Sequence, residues 1–172
     1  KGLLLPAMDE QQTVEVTLSP GHARLTVRAR YRLRRGTEAT GSTLLQMPEG
    51  GVAVSMRFRP PTGASIKATL LNSLTATQRY QSWGVGAPAS RPGSAALLEY
   101  VTGGRLSLQV YPVIQTHTTT AELSVLVPTH YVGGRHTLEL RDLRSYSVVA
   151  KLKSRQDRLY VDGAALAPRK AT

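Results

Sequence analysis

The segment from residue 23 to residue 34 alternates apolar and polar side chains with a period of two. Successive side chains of a β-strand point to opposite faces, so the alternation predicts a long strand with one buried and one exposed face. The apolar face carries Ala23, Leu25, Val27, Ala29, Tyr31 and Leu33. The opposite face carries Thr26 and five arginines, which we call the arginine ladder: Arg24, Arg28, Arg30, Arg32 and Arg34.

Short alternating or apolar segments separated by turn signals recur along the rest of the chain. They predict strands over residues 13–18, 43–47, 52–59, 66–70, 97–101, 106–110, 118–127, 136–140, 147–152 and 159–161. Gly103-Gly104 between two of these segments is typical of a hairpin with a primed turn. The pattern predicts a mostly β fold, an antiparallel β-sandwich with one short helix packed against it. We expect an N-terminal lead-in over 1–11, a single sandwich domain over 12–163 and a basic flexible tail over 164–172.

One short helix interrupts the strands after residue 72. A capping box that starts at Thr75 and a left-handed stop at Gly84 predict about two helical turns. Ala76, Tyr80 and Trp83 recur at helical spacing, so we expect all three to lie on one face that docks on a sheet.

The composition fits one globular domain and favours a negatively charged partner. The 172 residues are 41% hydrophobic, and 22 basic against 11 acidic residues give a formal charge of +11. Such a field attracts polyanions or acidic proteins. No apolar run reaches the roughly 20 residues that span a bilayer, so we expect no membrane span. Because the chain starts at Lys1 and not at a methionine, we expect it to be a piece of a larger polypeptide.

The sequence offers no recognisable catalytic, metal or cofactor motif. It lacks cysteine and a Gly-x-Ser-x-Gly elbow, and its four histidines do not have the close spacing of a zinc motif. The glycines from residue 84 to residue 89 resemble a dinucleotide-binding loop, but a helix precedes them where that loop needs a strand. We therefore predict no enzyme, no cofactor and no metal site.

The arginine ladder has two interpretations. It could bind nucleic acid or an acidic glycan, or it could be an outer face that is either solvated or covered by neighbouring strands that carry glutamate. The second is favoured because charged outer faces are common in sandwiches. Single-strand binders also place aromatic rings among their basic residues, whereas Tyr31 belongs to the apolar face.

Two further positions have local interpretations. Tyr111-Pro112 indicates an edge strand or a bulge, since proline cannot donate to a ladder. Glu99 ends an apolar run on a predicted strand, where a polar anchor near the helix is a simpler role than catalysis.

The order of several short motifs resembles the vault protein inter-alpha-trypsin (VIT) domain over roughly residues 12–140. The motifs are an apolar-Pro turn at 45–50 with Pro48, a helix with Ala76-x-x-x-Tyr80, the strand Ala96-Leu97-Leu98-Glu99, and Val110-Tyr111-Pro112-Val113 followed by an apolar strand. The resemblance implies a non-catalytic, mostly β module of larger secreted, cell-surface or cytoplasmic proteins, commonly followed by a von Willebrand factor type A domain. The Asp-x-Ser-x-Ser cation motif of that second domain does not occur in this chain.

The sequence therefore predicts an interaction or scaffolding module that packs against a neighbouring domain or partner protein. The alternative is direct binding of an acidic polymer by the arginine ladder. We expect a secreted, periplasmic or cell-surface location, with the cytoplasm left open. The preference for arginine over lysine favours a bacterial source.

Overall fold

The computed structural model describes residues 8–71, 73–83, 93–140, 146–152, 158, 160–161 and 164–165. The predicted loop after Gly84 and the predicted tail lie almost wholly outside these residues. So do the first seven residues of the predicted lead-in.

Thirteen strands and one helix make up the described chain, which confirms the mostly β prediction. The strands are β1 Met8–Ser19, β2 His22–Leu33, β3 Ala39–Gln46, β4 Val52–Arg59, β5 Ile66–Lys67, β6 Ala95–Val101, β7 Arg105–Val113, β8 Thr119–Pro128, β9 His130–Val132, β10 Arg135–Thr137, β11 Tyr146–Leu152, β12 Tyr160–Val161 and β13 Ala164–Ala165. The helix α1 is Ser73–Trp83.

Two sheets face each other across one hydrophobic core. The larger has six strands in the order β11-β1-β2-β8-β4-β5, and the smaller has three in the order β3-β7-β6. Tyr31 and Leu123 of the larger sheet and Leu108 and Val110 of the smaller are almost completely buried in a shared cluster. Two sheets that bury their inner faces against each other form a sandwich. All described pairs in these sheets are antiparallel except β1 with β11, which is parallel.

Several predicted boundaries change. β1 begins at Met8, so the strand extends into the predicted lead-in, and β5 keeps only the first two residues of its predicted range. Gly103 and Gly104 both have positive φ, +78° and +68°, in the predicted hairpin between β6 and β7. A left-handed conformation at both residues fits the primed turn.

The helix docks differently from the prediction. It begins at Ser73 and runs for 11 residues, so Thr75 lies inside its first turn and does not precede it. Tyr80 is buried and Ala76 is half-buried, as expected. The expectation for Trp83 was wrong, because this last residue of the helix is 63% exposed.

Pro112 does not lie on an edge strand. Its strand β7 is the central strand of the smaller sheet, and the pairing with β3 is irregular between Ala39 and Gly41. The bulge interpretation of Tyr111-Pro112 therefore holds and the edge interpretation was wrong.

Candidate interaction face

The arginine ladder lies on the outer face of the six-stranded sheet. Strand β2 is third in that sheet, between β1 and β8, and all five arginines are exposed. The alternate residues of β2 are buried in the core, apart from the half-buried Val27. The two-sided strand predicted from the alternation is confirmed.

A carboxylate on the neighbouring strand neutralises the middle of the ladder. Glu122 of β8 lies directly across from Arg28. The Nε and Nη2 groups of Arg28 both donate to Glu122 Oε2, at 3.1 Å and 2.5 Å. The side chains are 44% and 35% exposed, so the pair is solvated and its contribution to stability is small. The neighbouring strand therefore carries a glutamate that pairs with the ladder, while all five arginines stay exposed.

A second carboxylate holds the end of the ladder. Arg34 Nε donates to Asp9 Oδ1 at 2.6 Å, and the two side chains form an ion pair. This hydrogen bond from Arg34, with smaller help from the charges of Arg34 and Arg32, holds the pKa of Asp9 below its usual value. The same contact raises the pKa of Arg34. Both groups therefore stay charged over the whole physiological pH range.

Two other ladder arginines contact uncharged groups. Arg24 Nη1 donates to Ser124 Oγ at 3.0 Å, and Arg32 Nε donates to the Gln115 carbonyl oxygen at 2.9 Å. These contacts orient the guanidinium groups without reducing their charge. Arg30 has no hydrogen-bond or ion-pair partner among the described residues.

The sheet adds three basic residues to this face that the sequence interpretation missed. Arg57 of β4 lies directly across from Glu122, Arg59 lies across from Thr120, and Lys67 of β5 lies across from Arg57. Directly paired residues share a face, so these three side chains extend the basic surface across the sheet. The signal was present in the sequence, because Arg57 and Arg59 alternate with Met56 and Phe58 in the way that the ladder alternates with its apolar residues.

We call this surface the basic face; it consists of the outward residues of β1, β2, β8, β4 and β5, with Arg34 at its end. Among the described residues, its basic members are Arg24, Arg28, Arg30, Arg32, Arg34, Arg57, Arg59 and Lys67, and its acidic members are Asp9, Glu15 and Glu122. Eight cations against three carboxylates leave a net charge of +5. The register places no Phe, Tyr or Trp in its described rows.

The predicted structural motif residues lie mainly around the smaller sheet, away from the basic face. Ala96 and Leu98 pack against the main core, so Leu97 and Glu99 point to the opposite side, where α1 lies. Thr77 Oγ1 of the helix donates to Glu99 Oε1 at 3.1 Å. Glu99 is thus a polar anchor for the helix, as its position suggested.

Tyr80 and Tyr111 also lie on the side of the smaller sheet where the helix packs. Burial raises the pKa of Tyr80, whose buried hydroxyl group has no hydrogen-bond partner among the described residues. A hydrogen bond to the Glu38 carboxylate raises the pKa of Tyr111 to about 12. The half-buried Pro112 accepts a hydrogen bond from Thr119 Oγ1 at its carbonyl oxygen, at 2.7 Å.

Pro48 lies at one end of the sandwich. Its carbonyl oxygen accepts a hydrogen bond from the Gly51 amide at 3.0 Å and closes the turn between β3 and β4. It also lines a cavity of about 40 Å³ with Val27, Leu45 and other mainly apolar side chains. This volume is well below the roughly 300–1,000 Å³ of typical ligand pockets.

The described residues contain no cluster of three or more His, Cys, Asp or Glu side chains arranged to hold a metal ion. The one described helix is too short to cross a membrane. A scan against protein-family models finds no match to the chain, and a search of the curated proteins finds none either.

Proposed function

We propose that this chain is a non-catalytic interaction module whose partner docks on the basic face. The observation that supports this most directly is the net charge of +5 that the described residues hold on one rigid sheet surface. Complementary charge steers association and fixes the register of a complex. The absence of Phe, Tyr and Trp from the described rows favours a protein partner over single-stranded nucleic acid, which binds by stacking on such residues.

We also propose that the module is of the VIT kind and works inside a larger secreted or cell-surface protein that carries a von Willebrand factor type A domain. The packing of the motif residues supports this. The helix with Ala76 and Tyr80 lies against the strand Ala96-Leu97-Leu98-Glu99, joined to it through Thr77 and Glu99. Two of the motifs, on consecutive elements of the chain, thereby form one local unit.

The test compares the proteins retained by two forms of the immobilised chain from an extract of its source. One form is unaltered and the other carries Arg30→Glu and Arg32→Glu, neither of which breaks an ion pair among the described residues. We expect a specific protein to be retained by the first form and lost with the second. Its retention should survive nuclease and glycan-degrading enzymes. Loss of all binding after such treatment would instead identify polyanion binding, and equal retention by both forms would remove the basic face from the proposal.

A further inference from the structure

We propose that the basic face has a binding centre, Arg30, Arg57, Arg59 and Lys67, and that its ligand is an extended acidic segment of the partner protein. We call these four residues the free-cation patch. The inference rests on the proposed function and deepens it, because it names the chemistry of the partner and the residues that contact it.

The patch is defined by which cations already have partners. Four of the ladder arginines donate hydrogen bonds within the chain: Arg24, Arg28, Arg32 and Arg34. The four patch residues are exposed and have no such partner among the described residues. Arg57 shows the difference clearly: it lies across from Glu122, yet that carboxylate bonds to Arg28 on the other side. A ligand carboxylate would therefore meet the patch without displacing an internal bond.

The register places the patch residues at regular separations. Arg30 and Arg59 both lie across from Thr120, one on each side of β8, so their backbones are two strand spacings, about 10 Å, apart. Arg57 and Arg59 are two residues apart on β4, a separation of about 7 Å along the strand. Lys67 lies one strand beyond Arg57.

An extended polypeptide matches this array. Its side chains recur on one side at about 7 Å, so alternate glutamates on a segment that runs along β4 would reach Arg57 and Arg59. The chain itself shows the contact expected, since the Nε and Nη2 groups of Arg28 donate to one carboxylate oxygen of Glu122 at 3.1 Å and 2.5 Å. Guanidinium groups bind carboxylates through such forked contacts more specifically than ammonium groups do.

The test measures binding of a fluorescent synthetic peptide that alternates Glu and Thr, by anisotropy, to the whole chain at low salt. A peptide of the same composition with its Glu and Thr in separate blocks is the spacing control. The test variant is Arg30→Gln with Arg59→Gln, and the matched control is Arg24→Gln with Arg32→Gln. Both variants remove two charges from the same face, and circular dichroism checks that both remain folded.

We expect the test variant to bind the alternating peptide roughly tenfold more weakly and the control variant less than about threefold more weakly. Glu122→Gln should tighten binding roughly threefold, because it removes the carboxylate beside Arg57 and frees Arg28. The block peptide should bind more weakly than the alternating one.

Equal losses of peptide affinity in the two double variants would overturn the proposal that the free-cation patch is the binding centre. The proposed function would remain, since net charge alone would then explain binding. Equal affinity for the two peptides would overturn the proposal that the ligand is an extended segment. Lack of any peptide binding, in a chain that still retains a partner protein from extract, would overturn the inference alone. Tighter binding of oligo-dT or heparin than of the peptide would overturn both the inference and the proposed function.

Discussion

Replacement of Tyr80 by alanine tests how the helix is held to the smaller sheet. Tyr80 keeps 7% of its surface exposed, and it is the one residue of α1 that is buried. A tyrosine buries about 150–250 Å². At about 25 cal/mol per Å², this corresponds to roughly 4–6 kcal/mol for the complete side chain.

The expected net loss of unfolding free energy is smaller than this burial value. The alanine retains its methyl group, and its higher helix propensity returns about 0.5 kcal/mol. We therefore expect Tyr80→Ala to lower the free energy of unfolding by about 3 kcal/mol, near the lower end of the losses seen for buried aromatic residues. Trp83→Ala is the matched control because it removes an aromatic ring from the same helix, yet Trp83 is 63% exposed. Its expected effect is within about 0.5 kcal/mol.

Urea unfolding followed by circular dichroism measures both losses, and amide hydrogen exchange over residues 73–83 shows whether the helix itself has loosened. We expect a large loss of unfolding free energy and faster amide exchange for Tyr80→Ala alone. A loss below about 1 kcal/mol for Tyr80→Ala would show that the helix does not depend on this contact. If Trp83→Ala lowered the free energy of unfolding as much as Tyr80→Ala does, Trp83 would also belong to the docked face, as the helical spacing predicted.

Three other measurements probe the packing. Gly41→Ala should destabilise the fold by about 1–3 kcal/mol in urea unfolding, because a Cβ there would lie 2.9 Å from the Tyr31 ring; an unchanged midpoint would contradict this close packing. The Tyr111 phenol should titrate near pH 12, and Glu38→Gln should lower that pKa in an absorbance titration corrected with Tyr111→Phe. Because the folded pKa is raised, this contact stabilises the fold fully below about pH 10 and is lost between about pH 10 and 12; after discounting for solvent screening it is worth about 1 kcal/mol. Val27→Ile should fill part of the 40 Å³ cavity and raise the free energy of unfolding by up to about 0.8 kcal/mol, whereas a loss would show that the cavity cannot take a methylene.

The sequence predicted the strands well where a strand buries one face. Residues 23–33 alternate throughout, and β2 occupies that range with one additional residue at its start. Gly103 and Gly104 predicted the β6–β7 hairpin correctly because both adopt the left-handed conformation that glycine allows. This signal is also local. Patterns of this kind depend only on residues that are neighbours in the sequence, so they can be recognised from the sequence alone.

The predictions that failed depended on contacts between distant segments. Trp83 has the helical spacing of a docked residue, but spacing does not say whether a sheet lies beneath the end of the helix. Pro112 suggested an edge because proline lacks a donor, yet the central strand β7 accommodates it near its end, where the pairing with β3 becomes irregular. No local pattern reports such tertiary arrangements.

The charge of the basic face illustrates the same limit and explains why the proposed binding centre differs from the arginine ladder. The charge of a sheet surface depends on rows that run across strands, and the rows are set by register. Ala121 and Leu123 are buried in the core, so Glu122 between them must point outward, where it meets Arg28. A slip of β8 by one residue would turn Glu122 inward and expose its apolar neighbours. The burial that fixes the register of β8 therefore also determines which arginine is neutralised and which cations remain available to a partner.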